Sequence, residues 1–357
     1  MRKALRKGWT TGACAAAAAK AAFTALHGGT FPDPVTIRLP QGRTPAFPLA
    51  AAERKADGAS AGIVKDAGDD PDVTHGALIL ATVTPAPAGS GIVFRAGPGV
   101  GTVTLPGLPL PPGEPAINPG PRAQIADNIA DAAEALGVAA DCVVTIAIPG
   151  GETLAARTMN PRLGIVGGLS VLGTTGVVIP YSCSAWVHSI QRAVDVAAAL
   201  GICHVAAATG KTSEAAIRHE MSLPDQAIID MGDFAGALLK HLRAKPFAKL
   251  TLAGGPGKLA KLAGGAMNLH SGATAVDRGL LADMLAELGA ESALVEAARR
   301  ATTAAQAVML AESFPLAEAI ARRARESVRA ILAGGMAVDV WVVDRGGRIL
   351  GRAGDRP

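Results

Sequence analysis

An acidic segment at residues 65–75, which reads KDAGDDPDVTH, holds the densest group of side chains that could act in catalysis. Asp66, Asp69 and Asp70 could each act as a general base, and His75 could share that role with a carboxylate orienting its ring. The spacing of the carboxylates does not match an EF-hand loop, so a metal site is only a weak alternative here, and we expect no protein-bound metal. A solvated turn with an aspartate cap explains any single carboxylate equally well.

Glycine-containing loops follow three apolar, strand-like segments, at residues 209–211, 230–233 and 254–257. Ligands collect at the carboxyl ends of parallel strands, where glycine lets a nucleotide approach the backbone and an acidic residue can bind ribose hydroxyls. Tight turns without a ligand would use the same residues, and both interpretations stay open for any one loop. The residues that we predict to bind an adenosyl cofactor are Thr209, Gly210, Asp230, Gly232, Gly254, Gly255 and Gly257.

The glycine-rich segment 160–176 has Arg162 as its only charged residue and is bracketed by apolar residues. This composition is typical of a loop that packs closely on a ligand, and an arginine can bind a carboxylate through two hydrogen bonds. We predict that the substrate is bound by Arg162, Gly167, Gly168, Thr174 and Thr175.

A lone histidine, His270, follows a helix predicted to begin near Gly257. We add His270 to the catalytic candidates, although a histidine in such a place is more often a satisfied core residue.

Two short motifs resemble phosphate-binding sites but lack required parts. Gly210-Lys211-Thr212 ends like a P-loop, but Val205 stands where that loop needs its first glycine. The glycines at 97–101 resemble a dinucleotide fingerprint, but the text that follows, TVTLPG, predicts a strand rather than a helix. A phosphotransferase is therefore a disfavoured alternative.

The composition indicates a folded enzyme with a small anionic partner rather than a nucleic-acid or membrane protein. Hydrophobic residues make up 49% and charged residues 18% of the chain, and no apolar run is long enough to cross a bilayer. The net charge is +4, but only 3% of residues are aromatic, which leaves little for stacking on bases. Scattered Arg and Lys suit a small polyanion better. A homo-oligomer stays open.

The cysteines and the N-terminus both favour a cytoplasmic protein. Cys14, Cys142, Cys183 and Cys203 form no metal or disulfide pattern, so we expect small buried residues in a reducing compartment. Basic residues before an alanine run imitate an export signal, but alanine replaces the usual leucines, and Lys20 interrupts the run. We predict instead a helix at 12–26, capped by Thr10 or Thr11 and ended by Gly28 and Gly29.

These sites must be positioned by elements of two kinds. Residues 1–140 predict an α+β domain with an N-terminal helix, several strands and a second helix at about 122–136. Residues 141–357 alternate apolar strands with amphipathic helices, beginning with the strand CVVTIAIP. This alternation predicts an α/β Rossmann-like, three-layer domain with a mostly parallel sheet, closed by a strand or hairpin in AVDVWVVDRGGRILG.

Five long segments together resemble the cobalt-precorrin-5B C1-methyltransferase family of the CbiD type. They are LRKGWTTGACAAAAAKAA, KDAGDDPDVTHGA, GPGVGTVTLPGLPLPPGEPAINPGPR, TMNPRLGIVGGLSVLGTTGVV and GKLAKLAGGAMNLHS, and they span roughly residues 5 to 275. The sequence departs from the family pattern at Leu269, where threonine is expected, and at Tyr181, where methionine is expected. Both departures concern details of a pocket.

The resemblance implies an enzyme of cobalamin biosynthesis. S-adenosylmethionine would methylate ring carbon C1 of cobalt-precorrin-5B, a polycarboxylate tetrapyrrole, and give cobalt-precorrin-6A. Cobalt would arrive inside the substrate. Methyl transfer from a sulfonium depends mainly on positioning, so few catalytic residues are required.

A non-catalytic tetrapyrrole carrier of the same pathway is the alternative from another class. It would bind the ring without turnover, and the acidic segment 65–75 counts against it because clustered carboxylates repel a polyanion.

Overall fold

A computed structural model describes residues 5–354 and divides the chain into two compact units, with the boundary between Cys183 and Ser184. Residues such as Arg2 and Lys3 of the basic N-terminus lie outside the described range. No helix among residues 5–354 has the length and apolar character needed to cross a bilayer.

The described part of the first unit, which begins at residue 5, contains three helices and thirteen short strands. The helices are α1 (Thr11–Gly28), α2 (Pro119–Leu136) and α3 (Gly151–Ala155). The strands are β1 (Gly8–Trp9), β2 (Val35–Thr36), β3 (Ala46–Phe47), β4 (Ala51–Lys55), β5 (Gly58–Val64), β6 (Leu78–Pro85), β7 (Ile92–Ala96), β8 (Gly99–Val100), β9 (Thr102–Val103), β10 (Cys142–Ala147), β11 (Ile165–Val166), β12 (Gly168–Leu169) and β13 (Val177–Val178).

The core of the first unit is built on the alanine-rich helix α1. The Thr10 hydroxyl accepts a hydrogen bond from the Ala13 N–H, and Gly29, with φ 84°, ends the helix, as the sequence predicted. Alanines keep α1 narrow, so it packs closely against α2 and against strands β5 and β6. A five-stranded sheet in the order β4-β5-β6-β10-β7 forms the other wall of this core.

Strand β10 corrects one expectation. We predicted the text CVVTIAIP to open the second domain, but Cys142–Ala147 pairs antiparallel with β6 and parallel with β7, inside the first unit. Every second residue of β10 is buried, which fits a strand with one face on a core. An apolar segment predicts a buried strand but does not indicate which sheet the strand joins.

The second unit alternates strands and helices. Its helices are α4 (Cys183–Ala199), which begins at the unit boundary, α5 (Lys211–Glu220), α6 (Ala235–Ala244), α7 (Pro256–Ala263), α8 (Arg278–Glu287), α9 (Ser292–Arg300), α10 (Ala304–Leu310) and α11 (Leu316–Leu332). Its strands are β14 (His204–Ala208), β15 (Ile228–Asp230), β16 (Lys249–Gly254), β17 (Ala337–Val343) and β18 (Ile349–Ala353).

These strands form one mixed sheet in the order β15-β14-β16-β17-β18. The first four are parallel, and β18 returns antiparallel to β17 as the hairpin expected from the sequence. The parallel strands are short and apolar; β14, for example, reads HVAAA and is buried from Val205 to Ala208. A strand buried on both faces has this composition.

The cysteines follow the prediction only in part. Cys14 and Cys142 are buried, and burial raises the pKa of the Cys14 thiol to about 12, so this thiol stays protonated. Cys183 and Cys203 are exposed instead of buried, because Cys183 is the first residue of α4 and Cys203 lies just before β14, outside the buried stretches of these elements.

A buried carboxylate joins α4 to α6. Asp195 of α4 accepts hydrogen bonds from His241, at 2.8 Å, and from Lys245. Burial by itself would raise the pKa of Asp195, but the hydrogen bonds from Lys245 and His241, together with the charges of Arg192 and Lys245, leave the pKa below its ordinary value.

We expect Asp195→Asn to lower the free energy of unfolding by about 1–3 kcal/mol at neutral pH, since charged hydrogen bonds are lost. A carboxylate with a depressed folded-state pKa stabilises the fold above its unfolded pKa and loses that contribution as pH falls. The difference between variant and wild type should therefore shrink below about pH 4. Urea denaturation at both pH values measures it, and a difference independent of pH would contradict the prediction.

Candidate functional site

A large cavity opens at the carboxyl ends of the parallel strands of the second unit. It measures about 1560 Å³, which exceeds the roughly 300–1,000 Å³ of most small-molecule sites. The loops after β14, β16 and β17 form its floor, and the segment 302–318, which includes α10, forms part of its wall. The cavity therefore has room for more than one small ligand.

The cavity lies where the strand order reverses. The chain leaves β14 for β15 on one side and then crosses to β16 on the other side of β14. In open parallel sheets, ligands bind in the crevice at such a reversal. The loops that flank it are held together, because the Thr209 N–H donates to the Ala253 carbonyl at 3.0 Å.

Four of the seven predicted cofactor-binding residues line this cavity: Thr209, Gly210, Gly255 and Gly257. A Cβ at Gly210 or Gly257 would meet no described atom within 4 Å, and at Gly255 it would meet only the Val343 carbonyl, at 3.9 Å. The absence of side chains here leaves open space directly over the backbone.

The other three predicted cofactor-binding residues do not line the cavity. Asp230 accepts a hydrogen bond from the N–H of Gly232 at 3.3 Å. Gly232 has φ 53°, and a Cβ there would lie 3.2 Å from the Trp186 ring. A Cβ at Gly254 would lie 2.8 Å from the Thr209 side chain. A local hydrogen bond or a close packing contact therefore explains each of these three residues without a ligand.

Lys258 and Asp233 line the cavity and were not among the predicted site residues. Lys258, in the first turn of α7, donates to the Thr209 carbonyl at 2.6 Å and lies 3.1 Å from Asp233 Oδ1. The contact with Asp233 is an ion pair without hydrogen-bond geometry, and this buried oxygen has no hydrogen-bond donor among the described residues. Lys258 thus joins the loops after β14 and β15.

His270 lies in the cavity wall, exposed, with Nδ1 accepting from the Gly272 N–H at 3.0 Å. The neighbouring Leu269 carbonyl accepts a hydrogen bond from the buried Lys261 at 2.8 Å, which fixes this loop to α7. The structure therefore places His270 beside the predicted cofactor loops, on the same cavity.

Two cations of the cavity wall have no carboxylate partner. Lys211 begins α5, and Arg345 follows β17; neither has a carboxylate oxygen within 4 Å in residues 5–354. By contrast, Arg348 pairs with Asp344. Burial would raise the pKa of Asp344, but hydrogen bonds from Arg348 and Gly346 hold it below the ordinary range. Lys211 and Arg345 are left to attract an anionic ligand.

The acidic segment 65–75 lies in the first unit and is extensively paired. Arg6 bonds to the Asp66 carboxylate, and its hydrogen bonds hold the pKa of Asp66 below the usual value. Asp69 accepts from the Arg6 N–H at 2.6 Å, and Asp70 accepts from the Tyr181 N–H at 2.8 Å. The His75 Nδ1 accepts from the Ala67 N–H at 3.1 Å.

Through these contacts, the predicted catalytic residues of the segment stabilise the N-terminal strand and the chain near Tyr181. They leave a catalytic role as a prediction. Among the described residues, no group of three or more His, Cys, Asp or Glu side chains is arranged to hold a metal ion.

The predicted substrate-binding residues also lie in the first unit. The Thr174 carbonyl accepts a hydrogen bond from the Gln124 side-chain amide at 3.4 Å. The Thr175 hydroxyl donates a hydrogen bond to the Val177 carbonyl. Arg162 also makes a polar or ionic contact. Gly167, with φ 83°, has open space where a side chain would stand.

Gly168 packs directly on another backbone. It pairs with Gly99 across β12 and β8, and a Cβ on Gly168 would lie 2.3 Å from the Gly99 carbonyl oxygen. The glycines at 97–101, which had no clear purpose in the sequence, provide the other half of this crossing. Gly168 therefore has a packing role, whether or not it also contacts substrate.

We expect Gly168→Ala to destabilise the first unit by about 1–3 kcal/mol, because backbone atoms cannot move aside for the new methyl group. Thermal or urea unfolding of the full chain measures the loss. Gly167→Ala is a poor control because of its positive φ, so Val166→Ala, at an exposed position of β11, serves instead. Equal stability of Gly168→Ala and wild type would contradict the packing role.

The chain is similar to known proteins over most of its length. A family model described as CbiD matches residues 1–180, and one described as CbiD, C-terminal domain, matches residues 268–354. A protein of Paramagnetospirillum magneticum named cobalt-precorrin-5B C(1)-methyltransferase is 60% identical, over 98% of this chain and 99% of its own length. A Rhodospirillum rubrum protein of the same name is 57% identical, over 99% and 98%.

One solved structure is also similar. It is the crystal structure of a cobalamin biosynthesis protein (cbiD) from Archaeoglobus fulgidus, 30% identical in sequence. The match covers 73% of this chain and 80% of that one, with a TM-score of 0.41.

Proposed function

The chain belongs to the CbiD family, and on this premise we propose that it methylates ring carbon C1 of cobalt-precorrin-5B to give cobalt-precorrin-6A. The observation that carries the proposal is the near full-length similarity, at 53–60% identity, to proteins named for this reaction. The large cavity at the strand-order reversal supplies a place for it.

The proposed methyl donor is S-adenosylmethionine, which supplies an electrophilic methyl group on a sulfonium. The residues of the cavity fit such a donor in two respects. Gly210, Gly255 and Gly257 leave space over the backbone for a nucleoside, and the buried Asp233 Oδ1 is free to accept a hydrogen bond. Thr209, Gly210, Gly255 and Gly257 would hold the donor.

The second unit is, in this proposal, a three-layer Rossmann-like domain. Right-handed crossovers from β14 to β15 and from β15 to β16 would place α5 and α6 on opposite faces of the sheet. The packing of α6 and α7 against α11 supports a common layer for these three helices. Such an arrangement opens the crevice in which the cavity lies.

The work of the protein is to position two reactants and to exclude water. Holding a carbon nucleophile in line with a methyl group turns a bimolecular step into one within a complex. Lys211 and Arg345 would bind carboxylate arms of the tetrapyrrole, because an unpaired cation attracts an anion most strongly where no acid competes. Asp66, Asp69, Asp70, His75 and His270 remain candidates for proton handling.

The test is a single-turnover assay of the purified full chain with cobalt-precorrin-5B and S-adenosylmethionine carrying a labelled methyl group. We expect the label at C1 of the product, with S-adenosylhomocysteine released. Tetrapyrrole binding without methyl transfer would indicate a carrier instead. Calorimetry that finds no binding of S-adenosylmethionine, even beside the tetrapyrrole, would contradict the proposed donor.

A further inference from the structure

We infer that Asp233 binds the ribose hydroxyls of the methyl donor, and that Lys258 positions its carboxylate for this task. The inference rests on the proposed function and names the part of the cavity that the donor's ribose occupies. Asp233 belongs to the loop after β15 and lines the cavity, whereas Asp230, the last residue of β15, does not.

The Asp233 carboxylate has an unmet hydrogen bond. Asp233 Oδ1 is buried, yet no described residue donates a hydrogen bond to it. A buried acceptor without a donor destabilises a fold, and a carboxylate suffers more than a neutral group. A ligand that brings an O–H group to this oxygen would remove that cost on binding.

Contacts to both its side chain and its backbone hold Asp233 in position. Lys258 Nζ lies 3.1 Å from Asp233 Oδ1 and donates to the Thr209 carbonyl, in the loop beside the strand-order reversal. The Leu269 N–H also donates to the Asp233 carbonyl at 2.8 Å, so the backbone is held as well. Asp233 is therefore held in the wall of the same cavity that has open space above Gly210 and Gly255.

The charge of Asp233 favours the methyl donor over the tetrapyrrole as its ligand. A tetrapyrrole with acetate and propionate arms is a polyanion, and the Asp233 carboxylate, which is partly buried, repels it. Ribose carries two neighbouring hydroxyls, which can each donate to one carboxylate. The strand order places Asp233 after β15, at one end of the parallel set, and the unpaired Arg345 after β17, at the other end.

The experiment compares two ligands by isothermal titration calorimetry on the full chain: S-adenosylhomocysteine and its 2′,3′-dideoxy analogue. Wild type should bind the dideoxy analogue about 10- to 100-fold more weakly, the range expected for hydrogen bonds to a charged group. Asp233→Asn should weaken S-adenosylhomocysteine by a similar factor and show little further loss with the analogue. Asp225→Asn makes the same chemical change just before β15, at the opposite end of that strand, and should bind like wild type.

Each outcome has one meaning. Equal wild-type affinity for the two ligands overturns the inference without recourse to any variant, so a variant that fails to fold does not block the test. Equal losses of both ligands in Asp233→Asn also overturn it, because the carboxylate would then bind another group, such as the amino group. If the wild-type protein binds neither ligand even when the tetrapyrrole is present, the result contradicts the proposed function instead.

Discussion

Gly255→Val should weaken binding of S-adenosylhomocysteine by about 10- to 100-fold and leave the fold intact. Gly255 has φ −70° and ψ 157°, a conformation open to any residue, and a Cβ there meets only the Val343 carbonyl, at 3.9 Å. The side chain would therefore fit the protein but fill space that the donor needs. Overfilling a well-packed site costs about 1–3 kcal/mol, and every 1.4 kcal/mol is about tenfold in affinity.

The matched comparison uses the two ends of helix α7. Gly255→Ala, a smaller change at the same position, should weaken the donor less than Gly255→Val. Gly264→Ala changes the glycine at the other end of α7, with φ −81°, outside the cavity, and should bind like wild type. Calorimetry and a KM for the donor provide two readouts. Wild-type affinity in Gly255→Val would place the donor elsewhere.

The parts of the fold that local pattern determines could be predicted from the sequence. The alternation of strands and helices beyond residue 200 appears in the structure as β14 to β17 with their helices, since a short apolar run and an amphipathic helix each carry their own period. The caps of α1 could also be predicted from the sequence, because Thr10 and Gly29 form hydrogen bonds with backbone groups only a few residues away.

By contrast, the sheet to which each strand belongs could not be predicted from the local sequence. Strand β10 has the same apolar text as the parallel strands of the second unit, yet it pairs with β6 and β7. Pairing depends on contacts distant in sequence, which no local period reports. The role of the glycines at 97–101 could not be predicted from the sequence either, because they pack against the backbone of Gly168, some seventy residues away.

The candidate site shows the same division. Glycines after strand ends predicted the cavity floor, because the carboxyl edge of a parallel sheet is a general place for ligands. The choice between Asp230 and Asp233 depended on the path of one loop: Asp230 bonds to its own Gly232, and Asp233 reaches Lys258. Three residues in sequence separate a local turn from a cavity wall.

Lys65→Met should lower the free energy of unfolding of the first unit by about 3–5 kcal/mol, the range for breaking a buried ion pair. The Lys65 side chain is only 2% exposed, and its ammonium contacts the Asp72 carboxylate and the Thr74 hydroxyl. Burial alone would raise the pKa of Asp72, but the charge and hydrogen bond of Lys65, together with the hydrogen bonds from Thr74, hold this pKa below its ordinary value. Without Lys65, Asp72 becomes a partly buried charge with no cation beside it.

A double variant separates the ion pair from simple packing. Lys65→Met with Asp72→Leu replaces both charges by apolar groups, which is often close to neutral for a buried pair. We expect it to regain part of the lost stability, though not all, since Asp72 also accepts from the Thr74 N–H at 2.8 Å. Chemical denaturation of wild type, both single variants and the double variant gives the coupling energy. If the double variant is as unstable as the sum of the singles, the pair is uncoupled, and the acidic segment 65–75 is held in place by its backbone contacts rather than by Lys65.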